Sequence, residues 1–253
     1  MTEFVIVIPA RYASQRLPGK PLRDIAGKPM IQHVYERGRE SGAADVIIAT
    51  DDQRIAECAA GFGARCCMTS AEHQSGTDRL AEVARQLDWP EDRIVVNLQG
   101  DEPLMPPSIV DQCAALLADG RADIATLASP LRSDADFDNP NVVKVLTDSA
   151  GFALYFSRAA IPYARQDSHR ELARESALHH HGIYAYRNDV LQRLVTAEQS
   201  ALEICEQLEQ LRAMSLGLKI RVGVPDRRPG TGVDTDADLA EAERQLGELS
   251  ASR

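Results

Sequence analysis

Two kinds of apolar pattern alternate along the first half of the chain. Short continuous runs rich in β-branched residues appear at Val5 to Ile8, in Asp45 to Thr50 (DVIIAT), in Ile94 to Leu98 and in Asp123 to Ser129. Between them, apolar residues recur at three- and four-residue spacing: Met30, Ile31, Val34 and Tyr35, then Ile55, Ala56, Ala59 and Ala60, then Leu80, Val83, Ala84 and Leu87, then Ile109, Val110, Cys113, Ala114 and Leu117. Uninterrupted runs mark strands covered on both faces, and the intervening period marks helices. A further short strand is expected from Ala64 to Met68. The pattern predicts an α/β fold, a predominantly parallel mixed sheet flanked by helices.

Around Ser129 the pattern changes. The segments Val142 to Thr147 and Phe152 to Ser157 are separated by Asp148-Ser149-Ala150-Gly151, a hairpin signal. Residues 129–217 are therefore read as a small inserted α+β subdomain, and residues 1–128 and 218–253 as the core. Within the insertion, Gln166 to Ser176 is charged, shows little apolar periodicity and is expected to be mobile. Leu178 to Arg187 (LHHHGIYAYR) reads as a strand, and Leu202 to Arg212 as one amphipathic helix with Leu208 and Leu211 inward. A last strand runs from Lys219, and Asp234-Thr235 opens a final helix.

At 253 residues and 27.7 kDa the chain can bury one sizeable core. With 28 Lys+Arg against 38 Asp+Glu the net charge is -10, which argues against nucleic acid or a membrane surface as the main partner. Any anionic substrate then requires a local concentration of cations. The five cysteines show no zinc or disulfide spacing, and no secretory signal opens the chain, so the expectation is a cytoplasmic protein with reduced thiols.

Those cations are gathered after the first strand. Arg11, Arg16 and Lys20 share a loop with a Pro18-Gly19 turn, beyond the carboxyl end of a strand, where open α/β sheets bind ligands. The loop suits a polyphosphate, although it carries neither a P-loop nor a G-x-G-x-x-G pattern. Asp101-Glu102, following the strand and Gly100, offers carboxylates suited to a hard cation such as magnesium or, alternatively, an ordinary acidic turn. Asp51-Asp52 reads as helix capping, and Asp234 read alone is equally a helix N-cap. His179, His180 and His181 point alternately to opposite faces of a strand, which argues against zinc. Glu209 and Gln210, on pattern alone, lie on a solvated helix face.

The order P-A-R-x-x-S-x-R-L-P-G-K-P-L from Pro9 to Leu22 resembles the opening signature of 3-deoxy-manno-octulosonate (Kdo) cytidylyltransferases, and P-G-x-G-V-D-T from Pro229 to Thr235 resembles their second signature. In the related sialic acid enzymes the first loop ends Lys-Asn, whereas here Lys20 precedes Pro21 and Leu22. The resemblance implies a nucleotide-diphospho-sugar transferase-like, Rossmann-like fold and transfer of CMP from CTP to Kdo with release of diphosphate, for lipopolysaccharide biosynthesis. It implies that Arg11, Lys20 and Arg16 act on the triphosphate. Pro9, Ala10, Ser14, Gln74, Ser75, Gly76 and Gln99 join them in holding the nucleotide. Arg79, His180, Tyr184, Glu209 and Gln210 would hold the sugar acid, and Asp101 and Asp234 would hold Mg2+. It further implies a homodimer built through the inserted subdomain. Another acidic sugar, such as an amino-substituted Kdo or a sialic acid, is an alternative substrate. A catalytically silent nucleotide-binding protein is the alternative of another class, although Lys20, Asp101 and Asp234 are all present.

Overall fold

The strand β1 (Phe4–Ala10) divides the core in two. Its side chains alternate, so Phe4, Ile6, Ile8 and Ala10 enter one apolar layer while Val5 and Val7 enter the other. A computed structural model describes residues 3–13, 17–230 and 232–251. Ser14 and Arg16, two of the loop candidates, therefore lie outside the described residues.

After β1 come a 3₁₀ turn (Lys20–Leu22) and a small hairpin of β2 (Asp24–Ile25) and β3 (Lys28–Pro29). Helix α1 (Met30–Arg39), β4 (Asp45–Thr50), α2 (Gln53–Gly61), β5 (Arg65–Met68), α3 (Gly76–Gln86), β6 (Ile94–Asn97) and α4 (Pro107–Ala115) follow in strict alternation. Helices α1, α2 and α4 cover the face that holds Ile6 and Ile8, with Ile31, Val34, Ile55, Ile109 and Val110 buried there. Leu80, Ala81 and Val83 of α3 cover the other.

The second half builds β7 (Ile124–Pro130), α5 (Asp134–Asp138), β8 (Lys144–Thr147), β9 (Ala153–Ser157), α6 (Arg170–Ser176), β10 (Leu178–Arg187), α7 (Asn188–Thr196), α8 (Ala201–Glu206), α9 (Gln210–Ser215), β11 (Ile220–Gly223) and α10 (Asp236–Ala251). The main sheet runs β11-β7-β10-β6-β1-β4-β5. All its pairings are parallel except those of β10, which is antiparallel to β6 on one side and β7 on the other. The β8–β9 hairpin pairs antiparallel about the expected turn and joins the sheet through β10.

Four expectations are corrected. Residues 129–217 are not a separable insertion: β10 lies in the middle of the main sheet, and Val190, Leu191, Leu194 and Leu211 pack into the same apolar layer as Val5 and Val7. Gln166 to Ser176 is not structureless, because Ala173 of α6 is buried with Leu131 and Phe137. The helix read from Leu202 to Arg212 is broken at Gln207, which takes a left-handed conformation (φ 52). The break is bridged by a buried ion pair in which Arg212 Nε donates to Glu203 at 2.8 Å. Finally, the cap of α10 is Thr235 rather than Asp234: its hydroxyl accepts from the Asp238 amide, and Asp238 accepts from the Thr235 amide.

Arg79 of α3 is fully buried, with 0% of its surface exposed. Its guanidinium donates to Thr69 Oγ1 at 2.7 Å, the Ser70 carbonyl at 3.2 Å and Asp51 Oδ2 at 2.9 Å, joining the ends of β4 and β5 to α3. Replacing it strands the Asp51 carboxylate, so Arg79→Met is expected to lower unfolding free energy by about 3 kcal/mol. Urea denaturation measures this, and an unchanged midpoint would show that the guanidinium is no structural tie.

Candidate active site

The first loop turns back on itself at Gly19, whose φ of 66° lies in the left-handed region that favours glycine. The Gly19 amide donates to the Tyr12 carbonyl, and Pro21 sits in the first turn of the 3₁₀ segment. Lys20 is thereby aimed inward. Its Nζ donates to Asp101 Oδ2 at 2.6 Å and to Asp234 Oδ1 at 2.9 Å. The two acidic loops are themselves tied, the Val233 amide donating to the Asp101 carbonyl at 2.9 Å. Gly100 allows the first of them to lie against β1: a Cβ there would come within 2.7 Å of the Pro9 carbonyl oxygen. Burial would lower the Lys20 ammonium, yet the charges and hydrogen bonds of Asp101 and Asp234 raise it above its ordinary value.

This triad edges a cavity of about 350 Å³. Pro9, Ala10 and Arg11 wall it from the first loop, Gln74 and Gly76 from the second, and Gln99 to Asp101 from the third. The Arg11 guanidinium is anchored on the backbone of the second loop, donating to the carbonyls of His73 and Ser75. Burial and the nearby charge of Arg79 lower its pKa. Ser75 does not turn its hydroxyl into this cavity. That hydroxyl caps α3, accepting from the Asp78 amide at 3.2 Å, and donates to Glu209 Oε1 at 3.2 Å.

Gln99 also lines a second hollow, of about 180 Å³, floored by β6 and β10 and roofed by the segment after Gln207. Here the structure brings together His180, Tyr184, Glu209 and Gln210. Glu209 accepts from Ser75 and, at 2.9 Å, from Thr77; burial raises its pKa despite these donors and the charge of Arg212. His180 Nε2 lies 3.1 Å from Thr126 Oγ1, and burial with its two histidine neighbours lowers the ring to about 3, leaving a neutral imidazole. Arg79 is the exception among the sugar candidates: its guanidinium is held by Asp51 and does not line this hollow.

Asn97, at the end of β6, was not among the candidates. It is 3% exposed and lines the hollow with its Oδ1 buried and unpartnered, as is Nε2 of Gln210. The sequence signal was a lone amide closing the apolar run Ile94-Val95-Val96. An acceptor, a donor, a neutral imidazole and a carboxylate, with no Lys or Arg side chain in the lining among the described residues, suit a polyhydroxylated ligand.

Residues 5–220 match the model of the Cytidylyltransferase family. The chain is 54% identical over 250 residues to the 3-deoxy-manno-octulosonate cytidylyltransferase of Idiomarina loihiensis, covering 97% of this chain and 99% of that protein. It is 51% identical to the enzyme of the same name from Actinobacillus succinogenes, over 94% and 96% of the two chains. Among solved structures it is similar to CMP:2-keto-3-deoxy-manno-octonic acid synthetase complexed with CTP, at a TM-score of 0.90 and 44% identity over 98% of this chain and 99% of that one. A 4-diphosphocytidyl-2C-methyl-D-erythritol synthase, at a TM-score of 0.65 and 13% identity over 97% of this chain and all of its own, shares the fold.

Glu102 stands behind Asp101 with its Oε2 buried and unpartnered. Burial first, and then the charge of Asp101, pushes its carboxyl up from 4.5 to about 8. Between those values the native state holds a proton that the unfolded chain has released, so this group lowers stability as pH rises. In a chelating buffer, Glu102→Gln is expected to be increasingly more stable than the parent as pH rises from about 5 to about 9. Thermal unfolding across that range reads the difference; a constant difference would show that Glu102 titrates normally.

Proposed function

The chain belongs to the 3-deoxy-manno-octulosonate cytidylyltransferase family, which activates Kdo with CTP, and we propose that it does so as a magnesium-dependent enzyme with the triphosphate over Lys20 and the sugar acid in the hollow beside Gln99. The observation that carries this arrangement is the Lys20 ammonium held by Asp101 and Asp234 at the rim of the larger cavity, with Gln99 common to it and the hollow.

In this reading the anomeric hydroxyl of Kdo attacks the α-phosphorus of CTP in line, forming the ester bond of CMP-Kdo as the bond to diphosphate breaks. Phosphoryl-type transfer rests on positioning and charge stabilisation, and Arg11 and Lys20 supply cations to the triphosphate. Asn97, His180, Glu209 and Gln210 orient the sugar hydroxyls, and the buried hollow limits the entry of water. Asp101 and Asp234 would hold magnesium. Their oxygens already converge on one cation, and carboxylate oxygen is the donor that magnesium takes alongside phosphate and water. When bound, the ion supplies neutralisation of charge on the phosphates.

Diphosphate release from CTP and Kdo is expected to require magnesium and to be lost in Asp101→Ala. Lys20→Ala is expected to lose at least about a hundredfold in kcat, the size of one charge-stabilising group. Undiminished turnover by metal-stripped protein would reject the metal role, and near-normal kcat would reject that of Lys20.

We further infer a cytoplasmic homodimer, CTP being a cytoplasmic nucleotide; no described helix is long and apolar enough to cross a membrane. Leu154 on β9 and Leu202 and Ile204 on α8 are 59%, 47% and 53% exposed. The two elements adjoin, Glu206 accepting from the Ser157 hydroxyl and the Arg158 amide. Such an apolar face suits a second copy of the chain. Leu154→Asp with Ile204→Asp is expected to give a monomer in light scattering, and a parent that is itself monomeric would exclude the dimer.

A further inference from the structure

A third cavity, of about 390 Å³, is unused by the arrangement above. It shares Asp234 with the nucleotide cavity and His180 and Gly182 with the hollow, so it meets both where the reaction is placed. Arg132, from the segment after β7, and Arg228, from the segment leading to Asp234, line it together with His179 and His181. Arg228 is held through its guanidinium, whereas Arg132 is held through its backbone and its side chain is exposed. Arg228 donates through Nη2 to the Pro130 carbonyl, and the Arg132 backbone amide donates to Asp136 Oδ2 at 3.1 Å. Neither guanidinium has a carboxylate within ion-pair distance among the described residues, although the chain carries 38 acidic side chains.

The acids in the lining are not ion-paired with them. Asp234 is engaged by Lys20, and Asp136 Oδ2 accepts from the Arg132 backbone amide. Burial lowers His179 and His181; Asp136 offsets part of this at His179, the charge of His179 adds to it at His181, and the charges of Arg228 and Arg132 lower both further. His181 Nε2 is also fixed, 2.8 Å from Ser129 Oγ. By contrast, neither Lys nor Arg lines the hollow assigned to the sugar. An acidic sugar placed there finds no Lys or Arg in that lining to meet its carboxylate.

We propose that this cavity is an oxyanion subsite in which Arg228 and Arg132 hold a carboxylate or phosphate group presented from the reaction centre. The inference rests on the reading given under Proposed function, and that reading offers two sources. One is the carboxylate of the sugar acid, which is bonded to the same carbon as the attacking hydroxyl and must therefore lie at the junction of the cavities. The other is the departing diphosphate. Both are planar or tetrahedral oxyanions suited to paired guanidinium donors.

The experiment compares parent, Arg228→Ala, Arg132→Ala and the double variant, with Arg228→Lys as a charge-retaining control. It measures kcat, KM for CTP and for Kdo, product inhibition by diphosphate, and direct calorimetric binding of Kdo and of diphosphate. A rise of about tenfold or more in KM for Kdo in the double variant, with KM for CTP unchanged, assigns the subsite to the sugar carboxylate. An equal weakening of diphosphate inhibition, with KM for Kdo unchanged, assigns it to the product. Parent-like values for both in a folded double variant overturn the proposal. Should the parent fail to turn over CTP with Kdo, the reading of the reaction falls. The calorimetry still decides the subsite, because loss of diphosphate or Kdo binding in the double variant supports it and equal binding, or none by the parent, overturns it.

Discussion

The Lys20 ammonium is the point on which three distant parts of the chain converge. Its partners Asp101 and Asp234 lie 81 and 214 residues further along. A largely buried ammonium requires counter-charge, and two carboxylates brought to one place require a cation, so each loop is held by the other two. An apolar base backs them: Leu17, Met30, Leu104, Val233 and Leu246 are buried in one cluster drawn from the same three regions. The carboxylates are not sealed, because the Asp101 and Asp234 side chains keep 37% and 46% of their surface exposed, against 11% for Lys20. That asymmetry leaves carboxylate oxygens accessible to a further cation while the lysine is held in register.

The central strand β10 gives the site its two sides. Being antiparallel between parallel neighbours, it carries its histidines across the carboxyl ends of β6 and β7. The pairing with β7 slips between His181 and Tyr184, at the position of Gly182. Irregularities of this kind re-aim side chains next to functional clefts. Here His180 packs edge-on against Phe156 and beside Tyr184, over the sugar hollow, whereas His179 and His181 lie ring to ring at 5.1 Å along the neighbouring cavity.

Much of this was legible in the chain itself where local pattern decides local structure. The apolar runs after Phe4, Asp45, Arg93 and Asp123 became strands, and the loops following two of them, with the turn before Asp234, became the site. What escaped depends on long-range contacts. Nothing in Leu178 to Arg187 states that the strand inserts between β6 and β7, because a strand buried on both faces reads alike in any sheet position. Nothing near Gln207, neither glycine nor proline, announces a helix break; it is stabilised by the Glu203–Arg212 pair across it, and it turns Glu209 and Gln210 inward instead of toward solvent. Arg79 belonged to a motif that suggested ligand contact, but its partner Asp51 comes from another loop, and the pairing becomes visible only once β4 and α3 are packed.

Net charge and local charge act on different scales. A chain of net charge -10 repels anions at long range, yet a Debye length of about 8 Å under physiological salt confines most of that repulsion to the surface. What an anion meets inside a cavity is set by which neighbours are compensated. Lys20 is matched by two carboxylates, Arg79 by Asp51 and Arg212 by Glu203, so their charges chiefly hold the fold together. Arg11 and Arg228 donate instead to backbone carbonyls, which fixes their position without cancelling their charge, and Arg132 is exposed with no carboxylate in ion-pair contact among the described residues. The capacity of this acidic protein to bind anions therefore follows from the pairing pattern of its arginines and lysines, and the total number of acidic residues has little bearing on it.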